Sequence, residues 1–249
     1  MRYFLEMAYN GTRFTGWQRQ PAGGGVQNLV ESALATLLRQ PVEVTGCGRT
    51  DTGVHASYYV LHFDGPESLE PAALVQKLNR FTGPDVAFFR LSEVAHEAHA
   101  RYDAVLRSYV YHVDLGKNPF RRETAFHFPF FDRLDLEKMN AAAALLLEYE
   151  DFAPFCKTHS DVKTMKCLLR RSEWEVNRSE GRLVYHISAN RFLRGMVRLI
   201  VGQCLNIGLG KSSLEELRRS LDRQSPLEKA WTVPAEGLFL CEVKYPYEF

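Results

Sequence analysis

GCGRTDTGVHA, residues 46–56, packs three glycines, two threonines, Arg49, Asp51 and His55 into eleven positions. It lies between two apolar runs, PVEV at 41–44 and YYVLHF at 58–63. Runs of this length, rich in β-branched and aromatic residues, read as strands, so the segment reads as a loop between them. TDTG alone is an ordinary turn sequence: Asp accepts backbone N–H bonds and Gly53 supplies a positive φ. Arg49 shifts that balance, because a turn needs no cation beside its carboxylate.

The known glycine-rich cradles do not fit. A phosphate-binding P-loop needs GxxxxGK[ST], and no lysine follows these glycines. A dinucleotide fingerprint opens a helix, whereas GCGRTD runs into a strand-like stretch. A calcium loop needs several acidic residues at alternating positions, and Asp51 is alone. A glycosidase needs a second carboxylate, and the nearest in sequence, Glu43 and Asp64, lie outside the segment. A structural turn and a nucleophile site remain.

On either side the chain alternates strands and helices. A strand is expected at 2–9, then a turn-rich loop, NGTRFTGWQRQPAGGG. VQNLVESALATLLRQ has apolar residues at 26, 29, 30, 33, 34, 37 and 38, a helical spacing stopped by Pro41. VEVTGC, SYYVLHFD and VAFFRLSEVA read as strands and ALVQKLNRF as a short helix. RSYVYHVDLG is an alternating strand, and LDLEKMNAAAALLLEYEDF a helix capped by Asp135. KTMKCLLRRSEWEVNRSEGRLVYHISAN reads as a hairpin with RSEG at its tip. NRFLRGMVRLIVGQCLNIGLG reads as a helix ending at Gly208 or Gly210, SSLEELRRSLD as a capped helix, and GLFLCEVKY as a closing strand. The two halves have a similar order, which predicts two α+β domains, 1–104 carrying the Asp51 loop and 105–249, packed together without a low-complexity linker.

The 249 residues are 45% hydrophobic and 24% charged, enough for a substantial core. The net charge is only +1, but the average hides a patch: residues 157–198 hold ten Lys/Arg against four Asp/Glu. Such a cluster is by default a solvated face; the sharper reading is a surface for a polyanion. Five scattered cysteines with no CxxC pair suit reduced thiols in the cytoplasm. No metal site is expected, since His96 and His99 have no third ligand near them in sequence. The start, MRYFLEMAYNG, carries Glu6 within its apolar stretch and reads as a strand, not a signal peptide. AAAALLL at 141–147 is too short to span a bilayer, so no membrane association is expected.

The chain resembles the TruA-type tRNA pseudouridine synthases (the pseudouridine synthase I family) through separated motifs in order. These are AYNGTRFTGWQRQ at 8–20 with VQ at 26–27, GCGRTDTGVHA at 46–56, HARYDAVLRSYVY at 99–111, NRFLRGMVRLIVG at 190–202 and EGLFLCEVKY at 236–245. Asn10 stands where that family usually has Asp, Thr52 where Ala is commoner, and Gly195 at a variable place. The resemblance implies two α+β domains sharing a mostly antiparallel central sheet, with a catalytic cleft between them. It implies a homodimer, without cofactor, that isomerises uridine to pseudouridine in the anticodon stem-loop of tRNA, at tRNA positions 38, 39 and 40. By motif position Asp51 matches the catalytic aspartate, Tyr109 the tyrosine that stacks on the target uracil, Arg198 the basic partner of the aspartate, and Arg49 an RNA-contacting arginine.

These residue types suit the reaction. The C1′–N1 bond breaks, the base rotates, and C5 joins C1′; nothing is added or lost. A carboxylate is ionised at neutral pH, with an ordinary pKa of about 3.9. It is able to attack C1′, to attack C6, or to deprotonate a glycal-like intermediate, and these routes stay open. An arginine fork suits an ion pair between Asp51 and Arg198. A uracil that must rotate has to leave its stack and rest on a flat surface, which Tyr109 supplies. Arg191, Arg194 and Arg198, spaced by three and four, are expected on one helical face as a phosphate-facing stripe. Trp17, Gln18 and Arg19, the cluster Lys117, Arg121 and Arg122, and His55 are further candidates for RNA contact. A silent RNA-binding module and a nucleoside hydrolase are the competing readings; the intact Asp51 and Tyr109 weigh against the first and the missing second acid against the other.

Overall fold

The computed structural model describes residues 1–156 and 164–249. Lys157, Asp161 and Lys163 of the basic span lie outside the described residues. The chain divides into two compact units, Met1–Arg107 with Phe239–Phe249, and Ser108–Leu238. The sequence reading put 105–249 in one domain; in the structure the last strand groups with the first unit. The pairing explains this grouping. β9 (Leu238–Lys244) runs parallel to β3 (His55–Asp64), with Phe239 opposite His55 and Leu240 opposite Ala56.

In the first unit β1 (Arg2–Tyr9) pairs antiparallel with β3 on one side and with β4 (Val86–Val94) on the other. Tyr3, Phe4, Leu5 and Met7 are all buried, so β1 is covered on both faces. α1 (Val26–Leu38) buries Val26, Val30, Ala33 and Leu34, as the spacing predicts. It stops where Arg39 takes a left-handed conformation. α2 (Pro71–Phe81) starts with proline at its first turn and buries Leu74 and Leu78. Asn79 ties α2 to β4 by exchanging two 2.8 Å hydrogen bonds with the backbone of Phe88.

The strand expected over VEVTGC is only β2 (Thr45–Gly46), opposite His62 and Leu61 of β3. Side chains of α1 take the backbone groups before it. The Val44 N–H donates to the Glu31 carboxylate at 3.1 Å, and the Gln27 amide donates to the Val44 carbonyl at 3.0 Å. The residues just before Thr45 are thus tied to a helix instead of a strand.

In the second unit β5 (Leu106–Asp114) lies beside β8 (Arg182–Ala189), which pairs antiparallel with β7 (Leu169–Asn177) around the expected tip. The short β6 (Phe126–His127) runs parallel to the end of β5. α3 (Leu136–Leu145) is capped by Asp135, whose carboxylate accepts the Lys138 N–H at 3.1 Å. It tightens into a 3-10 turn, Leu146–Glu148, and so ends earlier than expected. α4 (Met196–Gly208) is buried all round except at Arg198. α5 (Leu214–Arg223) opens with a capping box of Ser213 and Glu216. The helix expected from residue 190 begins only at Met196, because Gly195 has φ +72°. A left-handed residue cannot continue an α-helix. Arg191 and Arg194 therefore precede α4 and do not share a helical face with Arg198.

The result is a mixed α+β chain with mostly antiparallel strand pairing and five α-helices among the described residues. None of those helices is long and apolar enough to cross a membrane.

Candidate active site

The Asp51 loop is held mainly through its backbone. The Cys47 N–H donates to the Val60 carbonyl at 2.8 Å. The Tyr59 hydroxyl donates to the Gly48 carbonyl at 2.5 Å. Thr50 shares a 2.9 Å hydrogen bond with the Tyr9 hydroxyl, and its carbonyl accepts the Trp17 N–H at 3.2 Å. A turn follows, closed by the Val54 N–H on the Asp51 carbonyl at 3.1 Å, with Gly53 at φ +77° as the sequence predicts. The Gly53 N–H reaches the Phe14 carbonyl at 3.3 Å. Asp51 is half-buried; Arg49 and Thr52 on either side of it are exposed.

Two other candidates form the loop's support. Trp17 is buried and lies against Tyr59, ring centroids 4.2 Å apart at 30°. His55 is 1% exposed, accepts the Gly11 N–H on Nδ1 at 3.0 Å, and stacks on Phe239 at 4.4 Å. Gly16 crosses beneath the loop with φ +94°, and a Cβ there would collide with the Thr50 carbonyl. Asn10 caps the 3-10 turn Gly11–Arg13 by accepting the Thr12 N–H at 3.0 Å. Asp also does this well, so the departure at residue 10 is conservative for the loop. Gln18 is exposed, while the Arg19 guanidinium is forked onto Glu31 at 2.8 and 2.7 Å.

In the second unit Tyr109 is a half-buried residue of β5 whose ring meets Phe192 edge-on, centroids 5.2 Å apart at 89°. Tyr111 is a packing residue, fully buried, with its hydroxyl on the Pro234 carbonyl at 2.8 Å. Burial pushes that phenol far above its ordinary range, with Glu236 adding to the rise and Arg198 opposing it. Arg198 stands in the first turn of α4 and donates Nε to the Val233 carbonyl at 2.7 Å. Arg194 is exposed in the turn before the helix, and Arg191 is half-buried. Arg121 is engaged by Asp114 at 3.4 Å and by the Glu180 carbonyl at 3.0 Å, and Arg122 by Glu123 at 3.8 Å. Arg182 pairs with the buried Asp114 at 2.9 Å and Arg171 with Glu173 at 2.6 Å, so part of the basic span is neutralised locally. Among the described residues no three His, Cys, Asp or Glu side chains gather as a metal site would.

A family model described as tRNA pseudouridine synthase matches residues 7–103 and 142–246. The chain belongs to the tRNA pseudouridine synthase family. A tRNA pseudouridine synthase A of Bacteroides thetaiotaomicron is 45% identical over 246 residues, covering 98% of this chain and 91% of its own. One of Bacteroides fragilis is 43% identical, covering 99% and 97%. A more distant one, of Bacillus pumilus, is 37% identical and covers 98% and 99%.

In this pseudouridine synthase family member, sequence reading missed the residues that hold the loop. Tyr9 and Tyr59 read only as strand residues, and Phe14 offers the loop its carbonyl. Backbone partners leave no periodic trace in a sequence, so only the glycines hinted at them.

Proposed function

We propose that the chain isomerises uridine to pseudouridine in tRNA, acting on the anticodon stem-loop, with Asp51 as the catalytic carboxylate. The observation that carries this reading is full-length identity of 45% to a protein named tRNA pseudouridine synthase A. The local geometry agrees with it: Asp51 is a half-buried carboxylate on a turn braced through its neighbours' backbone. A braced carboxylate is what attack on C1′ or C6, or proton removal from a glycal, requires. In each route C1′–N1 breaks, C1′–C5 forms, the C5 hydrogen leaves as a proton and N1 gains one.

Tyr109 is the proposed platform for the uracil, Arg198 the proposed partner of Asp51, and exposed Arg49 and Arg194 proposed phosphate contacts. Gln18 is kept as an RNA contact; Arg191 is a weaker candidate, and Trp17 and His55 act by supporting the loop. The reading includes a homodimer in the cytoplasm, tested by sedimentation equilibrium and by fractionation of cells.

The decisive assay uses unmodified tRNA carrying tritium at uracil C5. Release of tritium without free uracil is the expected result. Free uracil would replace the proposal with a hydrolase, and tight binding with neither product would replace it with a silent binder. Asp51→Asn keeps the size of the side chain and removes its charge. It is expected to lower turnover by at least about 1,000-fold while tRNA binding persists.

A further inference from the structure

We propose that Arg107 is a positioning residue for the Asp51 loop, a role that rests on the catalytic reading of Asp51 above. Its guanidinium is half-buried and grips three backbone carbonyls of the first unit. It donates to Cys47 from Nε at 3.1 Å and from Nη2 at 2.8 Å. It also donates to Ala104 from Nη1 at 3.0 Å and to Arg101 from Nη2 at 2.6 Å.

The two ends of this grip differ. Arg101 and Ala104 belong to a segment tied by its own local hydrogen bonds. The His99 N–H donates to the Asp103 carboxylate at 2.7 Å, and His99 Nδ1 accepts the N–H groups of Arg101 and Tyr102 at 3.1 and 3.2 Å. Cys47 opens the stretch that carries Arg49 and Asp51. Next to it, Gly48 has a single loose neighbour on its side-chain side: beyond its chain neighbours, the one atom within 4 Å of a Cβ placed there would be Arg107 Nε, 3.9 Å away. No tight contact therefore holds the backbone at Gly48 from that side. The bonds from Arg107 to the Cys47 carbonyl and from Tyr59 to the Gly48 carbonyl, with the Cys47 N–H on the Val60 carbonyl, hold it. Arginine suits the task because its planar fork reaches three carbonyls at once and stays charged, while a lysine ammonium is a point donor.

Arg107→Ala is expected to lower kcat by about 100-fold, the scale of a small misplacement of a catalytic group, with KM for tRNA unchanged. Arg107→Lys is expected to recover part of it. Amide hydrogen exchange is expected to quicken by about tenfold or more across residues 48–54 and not elsewhere in the unit. The control is Arg2→Ala, which removes a fork onto Asp64 and a bond to the Ala98 carbonyl in the same unit. It should lower stability and leave kcat and loop exchange alone. Unchanged loop exchange in Arg107→Ala, or equal effects from Arg2→Ala, would overturn the proposal. A variant that does not fold is replaced by Arg107→Lys with the same two readouts. Absence of tritium release by the unaltered protein would sink the isomerase reading, while the exchange measurement would still decide the role of Arg107.

Discussion

Tyr109 meets Phe192 edge-on, and the two roles open to it, the ring face and the hydroxyl, have different signatures. If the face of the ring carries the uracil, Tyr109→Phe keeps turnover within about tenfold, and Tyr109→Ala loses the stacking, worth roughly 1–3 kcal/mol. If the hydroxyl moves the C5 proton, the Phe variant loses nearly as much as the Ala variant. Single-turnover tritium release compares them directly. A second residue sets a pH dependence of stability. Burial pushes His62 down to about 4, helped by His99 and Arg2 and opposed by Asp64 and Asp103; its Nδ1 accepts the Ala100 N–H at 3.1 Å. The folded value lies below the unfolded one of about 6.5, so the unfolded chain takes the proton first. The stability contributed by the neutral ring is complete above about pH 6.5 and declines as the pH falls toward 4. His62→Gln should lose less Tm than the unaltered protein between pH 7.5 and 5; an equal loss in both would contradict this. His112, also lowered to about 4 by burial, keeps part of the slope.

At the scale of elements, legibility followed how each element is held. α1 and α5 were readable because buried residues recur at helical spacing and a Ser–Glu cap opens the second. The hairpin of β7 and β8 was readable from its alternation and its polar tip. VEVTGC alternates as a strand should, yet Gln27 and Glu31 of α1 take the backbone of Val44, a competition that no local pattern reveals. The stripe Arg191, Arg194 and Arg198 has helical spacing, but spacing alone cannot show that Gly195 is left-handed. Asp51 was legible as a carboxylate in a turn, and the catalytic part proposed for it only through the resemblance. Gly195→Ala puts a side chain where φ is +72° and should cost about 1–2 kcal/mol. Urea unfolding measures that cost. A neutral or stabilising result would mean that α4 extends readily toward Arg194, and that the observed start is not enforced by the glycine.

On the scale of the whole molecule, the first unit is assembled from both ends of the chain. β9 pairs with β3 beside the Asp51 loop, and the residues after it cover Phe4. The rings of Tyr245, Tyr247 and Phe249 lie 5.2, 6.4 and 4.9 Å from that of Phe4. The Tyr245 hydroxyl donates to the Ala100 carbonyl and the Tyr247 hydroxyl to Asp103, each at 2.6 Å. Tyr245 and Phe249 are half-buried and Tyr247 is exposed, so each ring contributes only part of the roughly 1.5–3 kcal/mol that full burial brings. The buried Leu240 and Val243 of β9 add theirs, and the loss weighs against a domain stability of about 5–15 kcal/mol. A fragment of residues 1–107 is therefore expected not to fold alone, although it carries Asp51 and Arg49 together with Tyr9, Phe14, Trp17, Tyr59 and Arg107, which hold their loop. Adding a peptide of residues 237–249 should restore the fold, with saturable binding and protection of the amides of β3 against exchange. A fragment that is already folded and protected without the peptide would show that β9 and the tail are ornaments of the unit instead of parts of its core.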